Sequence, residues 1–175
     1  HASDTGIEQK YNINTGDITL TNATLTSVLY LKNTGLNDIV VTALVYNLGA
    51  STSGSGDGKI TVVRNPDAGD IISNTNNVET GAGAESNSNF KSTNIMTGLF
   101  YKGATGETAL SGGQGAYLNT RLPSPLGRIV IQLGAIHIPT GSSMGINYTP
   151  QTSNSSQICQ FAVACYVKTA LVSAD

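Results

Sequence analysis

The stretch "AIHIPTGSSMGINYTP", Ala135 to Pro150, decides the fold, because it admits two readings that lead to different architectures. Gly141-Ser142-Ser143-Met144-Gly145 matches G-x-S-x-G, the nucleophile elbow of serine hydrolases, in which a strand turns sharply into a helix and a later acid and His complete the relay. Here "INYTP" follows Gly145 and reads as another strand, and no His occurs after His137. His137 lies upstream, in the wrong chain order, and His1 is terminal. The stretch therefore reads as strand, turn, strand. Pro139 ends the first strand, and Gly141 and Gly145 are expected to supply the backbone conformations that other residues avoid in a hairpin loop. Ser143 is then no nucleophile, and His137, alternating with apolar neighbours, is a hydrogen-bonded structural residue.

Working outward, strand signals recur and helical ones are almost absent. Gly, Asn and Thr interrupt nearly every window, and no segment sustains the i, i+3, i+4, i+7 apolar pattern with caps. Short runs rich in β-branched residues and bounded by turn chemistry lie at Asp17 to Leu20, Ser27 to Asn33, Asp38 to Leu48, Gly58 to Asn65 and Gly69 to Ser73. Further runs lie at Met96 to Gly103, Gly127 to Gly134, Ala135 to Pro139, Gly145 to Pro150 and Ser156 to Lys168. About eight to ten strands at this spacing define an all-β, antiparallel β-sandwich. "LKNTGLNDIVV" reads as a hairpin through Asn33-Thr34-Gly35 and Asn37-Asp38. Residues 1–20 read as an N-terminal arm, and 21–175 as a single sandwich domain. The polar segment Asn74 to Asn94, at about twenty residues, exceeds ordinary connections, and is either a long functional loop or a strand-bearing excursion around Val78 and Phe90.

Composition excludes several function classes. The 175 residues are only 11% charged with a net charge of -2, so Ser, Thr, Asn and Gly must build the surface, and there is no basic footprint for nucleic acid. The longest apolar runs fall short of the roughly 20 residues of a bilayer-spanning helix. The chain opens "HASDTG" without Met, as after signal-peptide removal, maturation proteolysis or a cloning scar.

"SGSGDGKIT" fails as a phosphate loop: three residues separate Gly54 from Gly58, Ile60 follows Lys59, and a strand rather than a helix comes next. Asp57, Asp67 and Asp70 are a weak candidate set for Ca²⁺ whose spacing matches no known loop; no cofactor is otherwise expected. Asn22, Asn147 and Asn154 begin N-x-[ST] sequons, which matter only in a secreted chain. Cys159 and Cys165 share one strand face with Phe161, Val163 and Val167, too far apart to bridge, and read as small core residues.

The run Ile39 to Leu48 is apolar at both parities, as if both faces were covered, either by a neighbouring subunit, which points to assembly, or by loops of the same chain. Three long pieces, Thr21 to Ser73, Phe100 to Gly113 and Gly127 to Val167, carry a resemblance. A strand ending in Lys-Asn, a Gly/Ser loop before "RNP", "KGATG", and "IPTGSS" followed by "TP" and a last apolar strand together resemble β-sandwich structural proteins of tailed-phage virions. The resemblance implies a jelly-roll-like module that decorates capsids or forms part of a tail, in the virion, with other copies and a major capsid protein as partners and no enzymatic activity. The alternative is a secreted extracellular filament or surface-layer subunit, assembled when an N-terminal strand such as "YNINTGDITLTN" completes a neighbour's sheet. A carbohydrate-binding or catalytic sandwich calls for exposed aromatics or paired carboxylates, and the chain has no Trp and only three Phe. Both assembly readings work through contact, by homo-oligomer or polymer formation, without nucleic acid or membrane. The expected interface residues are Ile7 and Tyr11 in the arm, Tyr46 and Leu48 on the doubly apolar strand, where Val40 and Leu44 extend the stripe, and Tyr101 and Tyr117 around "KGATG".

Overall fold

The computed structural model describes residues 9–21, 24–49, 58–73, 76–79, 84–122, 127–150 and 156–168. Ten strands form two antiparallel sheets. They are β1 (Gln9–Asn14), β2 (Ile18–Leu20), β3 (Thr26–Asn33), β4 (Ile39–Leu48), β5 (Gly58–Arg64), β6 (Gly98–Lys102), β7 (Ala116–Leu122), β8 (Gly127–Ile138), β9 (Ser143–Thr149) and β10 (Gln157–Val167). The first sheet runs β1-β10-β4-β8, with β2 also on β10; the second runs β6-β3-β9-β5-β7. The pairings are nested: β1 and β2 with β10, β3 with β9, β4 with β8, and β5 with β7. One long antiparallel hairpin, rolled so that β10 meets β4 and β9 meets β5, generates this order, which is that of a jelly roll.

Alternation fills the space between the layers. Leu29, Leu31, Ile60, Met144, Ile146 and Tyr148 come from the second sheet, and Ile13, Leu44, Tyr46, Cys159, Phe161 and Val163 from the first. Tyr148 and Phe161 meet across the interior with ring centroids 5.5 Å apart. The Tyr148 hydroxyl donates to Gln157 Oε1 at 2.9 Å, and Gln157 Nε2 donates to Gly49 O at 2.9 Å, so the buried polar ends are satisfied. A smaller cluster of Tyr30, Ile71 and Leu110 closes the outer face of the second sheet.

Several expectations are corrected. "LKNTGLNDIVV" and "IPTGSSMG" are not hairpins: β3 and β9 lie in the second sheet and β4 and β8 in the first, so both turns cross between layers. Asn33 clasps the two crossings. Its Nδ2 donates to Asn37 O and Ile138 O, both at 2.8 Å, and its Oδ1 accepts from Gly35 N at 2.9 Å. Gly141 has φ of +83° as expected of a turn, but Gly145 is ordinary strand; its missing side chain makes room for Leu110. We expect Asn33→Ala to lower unfolding stability by about 1–3 kcal/mol in urea titrations, since only the Ile138 bond is fully enclosed and water can replace the others.

The two-parity pattern of β4 has a local cause. A register shift between Val41 and Ala43 against β8, matched by one between Ala164 and Cys165 on β10, switches the frame at Thr42. Ile39 and Val41 before it, and Leu44, Tyr46 and Leu48 after it, all face one core. "GDIIS" is not a strand but a single helical turn, α1 (Asp70–Ser73). Gly69 at φ +132° breaks the extended chain, Asp70 Oδ2 accepts from Thr108 N at 2.9 Å, and Ile71 is fully buried. β7 was not expected at all, and the two strands expected over 127–139 are one, β8, irregular around Gly134 at φ +71°. Residues 9–20, expected as an arm outside the domain, are β1 and β2 of the chain's own first sheet.

Candidate interaction surface

A concavity of about 330 Å³ at one end of the sandwich is lined by both His137 and Ser143. Strand alternation nevertheless sends their side chains to opposite outer faces. His137 stands between Ile136 and Ile138, which face the core of the first sheet, and its Nδ1 is 3.7 Å from Asp38 Oδ2. Ser143 precedes the core residue Met144 of the second sheet, and its side chain hydrogen-bonds Tyr30. Among the described residues no hydrogen bond joins His137 to Ser143, so the geometry of a Ser-His relay is not assembled here. A larger concavity, about 670 Å³, lies over the outer face of the first sheet and is bordered by Lys10, Asn12, Tyr166, Glu85 and Phe90.

The remaining candidates from the sequence are dispersed. Asp57 lies outside the described residues, as do Asn22 and Asn154. Among the described residues no group of three or more His, Cys, Asp and Glu side chains could hold a metal ion. Asn147 is buried, its Nδ2 donating to Leu110 O at 2.8 Å and its Oδ1 accepting from Leu110 N at 2.9 Å. That amide ties the 108–111 segment onto the second sheet and leaves no room for a glycan. Cys159 and Cys165 are free and enclosed, and burial pushes both thiols up to about 12. No helix among the described residues is long and apolar enough to cross a membrane.

The two flanks of the sandwich differ. On one, the polar excursion after α1 lies along both sheet edges. Val78 N donates to Phe100 O at 3.3 Å and Lys102 N to Asn76 O at 2.9 Å, covering β6; Ser88 N donates to Lys10 O at 2.8 Å, and Tyr11 bridges Asn87, covering β1. Val78 is thus buried and Phe90 is 96% exposed. On the other flank the first sheet ends in β8 and the second in β7, and among the described residues nothing pairs with the outer edge of either. Leu118, Ile129, Ile131 and Ile136 pack on the core there but remain only half-buried. Tyr117 is 50% and Val130 45% exposed. All three arginines of the chain, Arg64, Arg121 and Arg128, stand on β5, β7 and β8, and neither β7 nor β8 carries a carboxylate.

Of the expected interface residues that are described, only Tyr117 stands well exposed on this open flank. Tyr11, Tyr46 and Leu48 are 3%, 1% and 3% exposed and belong to the chain's own core, because β1 pairs with β10 and the frame shift at Thr42 turns Tyr46 and Leu48 inward. Leu44 shares that core, and Val40 is fully buried beneath its cross-strand neighbours. Tyr101 is half-buried, stacked on Tyr30 with centroids 6.2 Å apart. Ile7 lies outside the described residues. Arg128, Val130 and Gln132 also stand exposed along the β8 edge; their alternation in "GRIVIQ" is visible in the sequence, but their place at a sheet edge is not.

No protein-family model matches the chain, and no curated protein matches it. A solved structure of T=1 particles derived from infectious bursal virus aligns over 94% of this chain and 41% of its own, at 13% identity and a TM-score of 0.24. The chain therefore spans less than half the length of that neighbour.

Proposed function

We propose that this chain is a structural protein that acts through protein–protein contacts, as a subunit of a virion, in capsid decoration or in the tail. The observation that carries the reading is the asymmetry of its flanks: along one the chain's own backbone bonds to β1 and β6, whereas along the other, among the described residues, β7 and β8 are unpaired on their outer edges over half-covered apolar side chains. An unpaired edge of this length is a docking template, and chains that stay alone normally blunt it. Low charge removes long-range repulsion between copies. Jelly rolls build viral capsid domains, and also lectins and cupins, so the fold alone does not choose among them.

Mass photometry of the purified chain, with co-sedimentation on preassembled capsid shells, tests the proposal. A small oligomer that binds shells is the expected result, whereas an 18.1 kDa monomer at every concentration, indifferent to shells, would overturn it. The role requires no catalysis. We expect neither the wild type nor Ser143→Ala to hydrolyse activated esters; wild-type hydrolysis that disappears in the variant defeats the non-catalytic reading.

A further inference from the structure

Resting on that contact reading, we infer that the open flank takes a second copy of this chain, joined by antiparallel pairing of β8 with itself about a twofold axis at Val130. The inference starts from the order of residues on the edge. Arg128-Ile129-Val130-Ile131-Gln132 is regular strand, paired residue for residue with Asn47 to Ala43 of β4. Beyond Gln132 the register slips, and Gly134 at φ +71° turns the edge aside, so self-pairing is confined to this run.

The two faces of the run are distinct. Ile129 and Ile131 stand opposite Tyr46 and Leu44, both core residues, and so face inward. Arg128, Val130 and Gln132 stand opposite Asn47, Val45 and Ala43 and face outward. Read backwards, the run has the same chemical pattern: a long polar side chain, Ile, Val, Ile, a long polar side chain. A twofold axis through Val130 therefore places Val130 against Val130 of the second copy, Ile129 against its Ile131, and Arg128 against its Gln132. In that register the guanidinium meets an amide oxygen twice, and no like charges face one another. Directly opposed residues across an antiparallel pair have Cβ atoms about 5 Å apart, close enough for all these contacts. A slip of one residue would turn the isoleucines outward.

A second copy also fits the flank better than a single added strand. An axis normal to both layers that pairs β8 with β8 brings β7 towards β7 in the second sheet, so the two unpaired edges approach their counterparts together. The five paired residues extend roughly 17 Å at about 3.3 Å each, so they supply only part of the roughly 800 Å² per partner that a standard stable interface buries, and the facing β7 edges, in a layer about 10 Å away, supply the rest. Together they would cover the half-buried Leu118, Ile129 and Ile131.

Two substitutions at one exposed, outward position test the pairing without touching the core. Val130→Lys roots two like charges on Cβ atoms about 5 Å apart across the axis and buries neither, and is expected to weaken the dimer at least about 100-fold in sedimentation, with unchanged circular dichroism. Val130→Cys is expected to form an intermolecular disulfide on mild oxidation, while Arg128→Cys, facing glutamine, is not. The native thiols are enclosed, so the cross-link reports the new one alone. An oligomer unchanged in Val130→Lys, or absence of cross-linking in Val130→Cys while the wild type is oligomeric, overturns this interface and leaves the structural role standing. A wild type that is monomeric throughout and indifferent to capsid shells overturns both.

Discussion

Between pH 9 and 12 the chain is expected to lose stability progressively. Cys159 and Cys165 are 0% and 3% exposed, and burial raises both thiols from an ordinary value of 9.0 to about 12. Once unfolded, they ionise near 9. Above that pH the unfolded chain holds fewer protons than the folded one, so stability falls as pH rises; the stabilisation is complete below pH 9 and gone by about 12. Both thiols act in the same direction across this window, so their losses add. Tyr148 adds to the loss above pH 10: burial first, then the neighbouring Cys159 and Tyr46, push its hydroxyl up against the opposing effect of its bond to Gln157. Urea titrations at a series of pH values check the sign. Stability that stays flat from pH 8.5 to 11.5 contradicts the account, and replacing both cysteines with Ala and Val should move the alkaline midpoint upward. In the same protein, thiol reagents at pH 8 should label neither residue until denaturant is added.

Asn147→Leu is expected to cost about 2–6 kcal/mol. One buried amide satisfies both the N–H and the carbonyl of Leu110, doing for the 108–111 segment what a neighbouring strand would do. Leucine occupies similar volume but leaves two enclosed backbone groups without partners, each worth about 1–3 kcal/mol. The damage should extend beyond the mutated site. Leu110 packs with Tyr30 and Ile71 and fills the space above Gly145, so the outer cover of the second sheet loosens as a unit. Thermal unfolding should show a drop of many degrees, and hydrogen exchange should show faster loss of protection in 108–111 than in β10. An unchanged melting temperature rules out the clasp.

How much of this was legible beforehand depends on the range over which each feature is decided. The β-branched runs of β3, β4, β5, β9 and β10 announce themselves, since pattern and turn chemistry act within a few residues. Which layer each run joins does not. Asn33, Gly35 and Asn37 suit a hairpin as well as a crossing, and the choice is made by contacts such as Asn33 with Ile138, 105 residues away. The shift at Thr42 did leave a trace, because the core positions change parity between Val41 and Leu44, but the same trace suits a strand covered on both sides. β7 carries a period-two pattern, Ala116, Leu118, Thr120 and Leu122 against Tyr117, Asn119 and Arg121, but it is weakly apolar and short of β-branched residues, as suits an edge strand whose Leu118 and Thr120 are half-buried and whose Tyr117, Asn119 and Arg121 face solvent. The candidate surface shares that difficulty. "GRIVIQ" alternates plainly, yet whether such a strand is central or marginal is a property of the rolled topology, and local sequence does not encode it.

The backbone that lies along β1 and β6 has a further consequence for how large a self-made particle can grow. In the proposed dimer each copy offers one adhesive side and lines the other with its own backbone, so the same contact is not passed along a row. Two copies then use up each other's free margin, and that contact alone yields neither fibres nor ribbons. Any bigger shell containing this protein must then draw on its loops or its broad outer faces, and on whatever template supplies the lattice.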